Sequence, residues 1–168
     1  MNRFAKIMQL LGWAGAALLT VVWTQGYFVR GETPELGRHT MIALAAACLC
    51  VLPRFWTAAY LLLAARGRAT RQCAQRPPGE GAPSSERAAR LRRDALASAL
   101  FALIALSASF SLGGAILLRR VDPVTHAVAG VVVILSQIVA LFLERRALLA
   151  DGVEMRKMGE TEPVRAPV

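Results

Sequence analysis

The sequence predicts an all-α integral membrane protein: four transmembrane helices in an up-down bundle, with both termini cytoplasmic. Three observations carry that prediction. Apolar residues make up 55% of the 168, and they fall in four long blocks rather than at amphipathic spacing. The blocks match the about 20 residues that a helix rising ~1.5 Å per residue needs to cross ~30 Å of hydrocarbon. Charged residues, 18% of the chain, lie almost entirely between the blocks.

The net charge of +9 would by itself suit nucleic acid. The basic residues instead flank the apolar blocks, where they set membrane orientation, so no nucleic-acid partner is expected. Cys48, Cys50 and Cys73 make neither a CxxC pair nor a metal spacing, and free thiols are expected.

The first span runs from about 7 to 29. Its apolar stretch is longer than the ~7–15 residues of a cleaved leader and ends in Trp23, Tyr27 and Phe28, rings suited to a membrane interface. Gly12, Gly15 and Ala16 form a small patch that admits a close neighbour. Gln9 and Gln25 are expected near the two ends, in reach of water.

A polar loop from Arg30 to Arg38, broken by Gly31 and Pro34, leads to the second span, about 40 to 65. Pro53 inside it lacks a backbone N–H and crowds the Leu49 carbonyl, which predicts a kink. Next to it, Arg54 is costly at membrane depth, by roughly 2.5–3.5 kcal/mol on insertion scales. It is therefore expected to anchor at the cytoplasmic headgroups, to bond inside the protein, or to meet a substrate or anion.

Residues 66–93 carry eight arginines against two glutamates. The middle, Pro77 to Ser85, is Pro/Gly/Ser-rich and expected to be flexible, whereas Ser85-Glu86-Arg87 can start a helix. This basic cytoplasmic loop is expected to attract anionic lipid headgroups, at about 1 kcal/mol per basic residue near the surface. The third span, about 95 to 118, repeats small residues at Ser98, Ala102, Ala105, Ser109 and Gly113. That spacing predicts a helix-packing seam, with serines bonded back to their own helix.

Asp122-Pro123 signals the start of the fourth span, about 124 to 143. The tail, 144–168, is expected to extend the helix briefly and then to be partly disordered. Orientation follows from the basic residues. The N-terminus, the 66–93 loop and the tail carry 2, 8 and 5 Lys/Arg, against 2 in each short loop. The richer segments stay in the cytoplasm. Ala/Arg richness points to a high-GC bacterium, and hence to its cytoplasmic (inner) membrane. The chain also reads as two similar hairpins, Pro34…His39 echoing Pro123…His126, as in a parallel repeat.

Two helical faces carry whatever chemistry there is. His39, Ala43, Ala46, Cys50, Arg54 and Thr57 share one face of span two. On span four, His126, Gly130, Val133, Gln137, Ala140 and Glu144 share another. Arg54 and Gln137 differ in depth by only ~6 Å counted from the histidines. An amide oxygen suits a guanidinium, and Glu144 comes into reach if the side chain bends inward. Spans two and four are therefore expected to face each other, with Arg54, Gln137 and Glu144 as intramembrane polar residues.

His39 and His126 sit at one depth. They are interface residues, or else a ligand pair for haem b, with Ala43 and Gly130 admitting the macrocycle. A metal or proton relay is a third use of them. No catalytic set and no metal set of three is present. Three functional readings stay open. The first is a small accessory, scaffold or interaction subunit in contact with lipid and with other membrane proteins or itself, needing no cofactor. The second is a redox component with haem b between His39 and His126. The third is a minor transporter or channel module using the face around Arg54 and Gln137.

Overall fold

The described part of each apolar block is α-helical in a computed structural model, which describes residues 3–26, 33–75, 83–117 and 122–160. The helices are α1 (Arg3–Gly26), α2 (Thr33–Gln75), α3 (Pro83–Leu117) and α4 (Pro123–Glu160), and no strand occurs among the described residues. All four contain stretches long and apolar enough to cross a membrane.

Helix outruns hydrophobicity at both ends of α2, at the starts of α1 and α3 and at the end of α4. Thr33 and Pro34 open α2 inside the expected loop, since proline is tolerated in a first helical turn. The arginine-rich segment expected as a loop is helical through Gln75 and again from Pro83. Alanine and arginine are both strong helix formers, so the helix continues where the apolar composition stops. The tail is likewise helical through Glu160. The expected span ends at 27–29 and at 118, the flexible stretch over 77–82, and the tail from 161 on lie outside the described residues.

Asp122 starts α4 as its side-chain pattern requires. Its Oδ2 accepts a hydrogen bond from the Val124 N–H at 3.1 Å, and its carbonyl accepts from Thr125 N–H at 3.1 Å. Both donors belong to a first helical turn that would otherwise lack partners.

Contacts fix the pairing. Helix α1 runs antiparallel to α2: Phe4 meets Tyr60 at 6.4 Å between ring centroids, and Gly26 lies beside His39. Midway, a Cβ added at Gly15 would stand 2.8 Å from the Leu49 carbonyl carbon and 2.9 Å from the Cys50 nitrogen. Only glycine lets α1 lie on the α2 backbone there, in the turn that precedes Pro53. Helices α3 and α4 also run antiparallel, joined by Arg92–Asp151 and Ala102–Gln137. So do α1 and α4, where Trp13 meets Phe142 edge-on at 5.4 Å. By contrast α2 and α3 touch only sparsely. The bundle therefore closes through α1 and α4 and is open on the side between α2 and α3.

The buried face of α3 is Ala95, Ala99, Ala102 and Leu106. Ser98, Ala105 and Ser109, expected on the seam, flank it half-buried. The Ser98 hydroxyl donates to the Ala95 carbonyl at 2.9 Å, so it makes no demand on a neighbour. Two apolar layers stack along the bundle. One holds Leu19, Val22, Ala46, Cys50, Leu106 and Val133; the other holds Ala5, Leu61, Ala95, Ala147 and Leu148.

Candidate functional site

Between those layers lies a buried polar network. The inward faces of α2 and α4 bring Arg54, Gln137 and Glu144 together, exposed by only 2%, 0% and 3%. Arg54 Nε donates to Gln137 Oε1 at 2.9 Å, Nη1 to Glu144 Oε1 at 2.7 Å, and Nη2 to the Gln137 carbonyl at 3.0 Å. All three guanidinium nitrogens are thus bonded. Gln137 Nε2 in turn donates to the Ala102 carbonyl at 3.0 Å, carrying the network to α3.

The spacing explains the convergence. Gln137 and Glu144 are seven residues apart, two helical turns on one face, so a single planar guanidinium spans both. Its fork of N–H donors suits a carboxylate and a carbonyl at once. Nothing in this arrangement resembles a snorkelling anchor. Arg54 is turned inward, while Trp56, two residues on, is half exposed on the outside.

A second ion pair lies further along α4. Asp151, exposed by 1%, accepts from Arg92 Nη1 at 3.3 Å and ties α4 to α3. Hydropathy misses it, because the apolar block ends at 143. Asp151 continues the face of Glu144 by another seven residues, and that periodicity is the signal that points to it.

Gln9 also departs from expectation. It is 6% exposed, and neither its Nε2 nor its Oε1 has a hydrogen-bond partner. Its place just after MNRFAK suggests contact with water, but α4 and α2 extend far enough to cover α1 down to Ala5. Gln25 is exposed as expected.

The two histidines lie at the other end of the bundle, His39 beside Gly26 and His126 one turn before Gly130, where the α1 residue Trp23 packs. Both are half-buried, and the Nδ1 atom of each is buried without a hydrogen-bond partner. The room expected beside Gly130 is taken. A Cβ there would collide with the Trp23 ring, whose indole N–H donates to the Ala127 carbonyl at 3.1 Å. A macrocycle beside Gly130 would have to displace that ring. Among the described residues no group of three or more His, Cys, Asp or Glu is placed to hold a metal. Cys48 is exposed and Cys50 buried, both free thiols, and the Cys73 side chain lies outside those described.

Each of the three Arg54 nitrogens is engaged by a partner on one neighbouring helix, α4. No family model, curated protein or solved structure matches the chain.

Proposed function

We propose that this chain is a small accessory, scaffold or interaction subunit of a bacterial cytoplasmic membrane, built as two hairpins in an up-down bundle with both termini in the cytoplasm. One observation carries the reading: polarity is inverted relative to a water-soluble bundle. Large apolar side chains such as Leu10, Met41, Phe55, Leu63, Phe101, Leu135 and Phe142 are exposed on all four helices, while Arg54, Gln137 and Glu144 are enclosed. Exposed apolar surface of this extent needs lipid or protein against it. The Arg54 guanidinium, bonded to Gln137 and Glu144, joins α2 to α4.

The test is biochemical. The protein should remain in the membrane pellet through alkaline carbonate extraction. Fluorescent-protein fusions to the C-terminus should fluoresce, and alkaline phosphatase inserted at Gly31 should be active. Release by carbonate, or an active phosphatase at the C-terminus, would overturn the reading. For the interaction role, photo-crosslinkers at Phe101 and Phe110 on the outer face of α3 should give a discrete protein adduct in intact cells. Adducts to lipid alone would argue against it.

The unpartnered Nδ1 atoms of His39 and His126 favour one second reading, ligation between α2 and α4. An absorption spectrum of purified protein, oxidised and reduced, tests it. A Soret band lost in His39→Ala or His126→Ala would make the protein a membrane cytochrome; a featureless spectrum would remove that reading. Thiol labelling of cysteines placed along the Arg54 face tests the transport alternative, which requires water to reach that face.

A further inference from the structure

The register of the four helices gathers basic side chains at one end of the bundle. Around the layer formed by Ala5, Leu61, Ala95 and Ala147, Arg3, Lys6, Arg66, Arg90, Arg93, Arg145 and Arg146 are all exposed. Each lies within five residues of that layer on its own helix, about 7.5 Å along the axis. The sequence spreads these residues over three segments; the fold makes them one collar.

The open side of the bundle leads into this collar. There a lateral groove of about 440 Å³ runs between α2 and α3, walled by Leu61, Leu62, Leu96, Ala97 and Leu100, with Arg92 and Arg93 at its mouth. Leu61 is its fully buried floor, and Leu62 and Leu100 are exposed walls. From Arg93 to Leu100 the groove descends about 10 Å.

We infer that this groove holds one anionic glycerophospholipid of the surrounding leaflet, an acyl chain between α2 and α3 and the phosphate on Arg93. The inference rests on the membrane reading above. Arg92 is engaged with Asp151 at 3.3 Å and is 17% exposed, so it closes the mouth. Arg93 is 78% exposed, its carboxylate partner Asp94 standing at 3.8 Å. A surface pair of that kind is weak and gives way to a phosphate that offers bidentate bonds. Charge also selects the occupant. A second copy in the same orientation would set collar against collar at one depth, like charge on like charge. A lipid with a negative headgroup meets the collar with complementary charge and the groove with hydrocarbon.

Native mass spectrometry of the full chain in dodecyl maltoside, with added dioleoyl phosphatidylglycerol or phosphatidylcholine, tests this. Phosphatidylglycerol should be retained roughly fivefold more, from one basic contact near the phosphate. Arg93→Gln should abolish that preference. Ala97→Trp, and Leu62→Trp from the opposite wall, should reduce retention of both lipids by filling the groove. Arg146→Gln, on the collar outside the groove, should leave retention within twofold. Helical content by circular dichroism identifies any variant that fails to fold, and the other wall's variant then decides. Equal retention of the two lipids, or full retention in a folded tryptophan variant, would overturn the proposal. So would a dimer that either tryptophan converts to monomer, since a second copy would then fill the groove. Carbonate release would instead overturn the membrane reading, which keeps the two failures apart.

Discussion

Replacing Glu144 by leucine should destabilise this protein far more than replacing Glu144 and Arg54 together. In Glu144→Leu the guanidinium keeps its bonds to Gln137 but loses the carboxylate at 2.7 Å, while remaining 2% exposed. A buried charge left without its partner costs about 3–5 kcal/mol. Arg54→Met leaves a carboxylate in the same place, but a carboxyl group can take a proton and shed its charge, which a guanidinium cannot. Its cost should therefore be the smaller of the two. In Arg54→Met/Glu144→Leu the unmet groups are Gln137 Oε1 and its carbonyl, about 1–3 kcal/mol for lost hydrogen bonding. The cycle then yields a coupling of roughly 3 kcal/mol or more. That figure is discriminating, because neutral polar pairs between membrane helices couple by about 0.6 kcal/mol on average and ~1.7 at most. Unfolding in dodecyl maltoside by increasing mole fractions of dodecyl sulfate, followed through tryptophan emission, measures all three variants. Additive single costs, or singles within ~0.5 kcal/mol of the parent, would refute the argument that this pair holds α2 to α4.

Three further substitutions probe the packing around that network. Gly15→Leu should cost about 1–3 kcal/mol by the same assay, since its Cβ meets the Leu49–Cys50 backbone, which cannot rotate aside as a side chain would. Gln9→Leu should be neutral or stabilising by up to about 2 kcal/mol, because it removes two buried polar atoms that lack partners; a loss of stability would show that the amide is solvated in place. Gly130→Ala should expel the Trp23 ring and break its bond to the Ala127 carbonyl. A red-shifted tryptophan emission that disappears in a Trp23→Phe background would report this, and an unchanged spectrum would count against the packing.

Periodicity by itself makes the interior faces of α2 and α4 legible. Ala46, Cys50, Arg54 and Thr57, and Gly130, Val133, Gln137, Ala140 and Glu144, recur by threes and fours, and all are buried. A lone arginine in an apolar block must find partners, so its meeting with an amide and a carboxylate two turns apart follows from chemistry as much as from pattern. The helix ends are not legible in the same way. Hydropathy marks where lipid stops, not where helix stops, and the alanine–arginine segments continue as helix because both residues favour it. A fourth span that ends at 143 leaves out Asp151, and a terminal position for Gln9 conceals its burial. The Trp23 ring against Gly130 is illegible for another reason: it depends on how α1 is rotated against α4, which no single helix encodes.

That rotation is what the polar groups are suited to fix. Within a bilayer, apolar side chains gain little by leaving lipid for a neighbouring helix, so Leu or Ala faces alone specify register weakly. A guanidinium with three donors engaged on α4 constrains the placement of α4 against α2, and the Gln137 amide extends the constraint to the Ala102 carbonyl of α3. Arg92–Asp151 repeats it between α3 and α4 at the basic end. Helix α1 is held by Gly15, which seats it against α2 by shape, and by the Trp23 indole N–H, which donates to the Ala127 carbonyl of α4. The α2–α3 side, which none of these named bonds ties directly, is the side that stands open. The groove follows from where these bonds are placed. A lock added there, such as Leu62→Glu with Ala97→Arg, should draw α2 to α3 and raise resistance to dodecyl sulfate while reducing lipid retention. If both retention and stability rise together, the opening is not set by where the named bonds are placed and this account of the bundle fails.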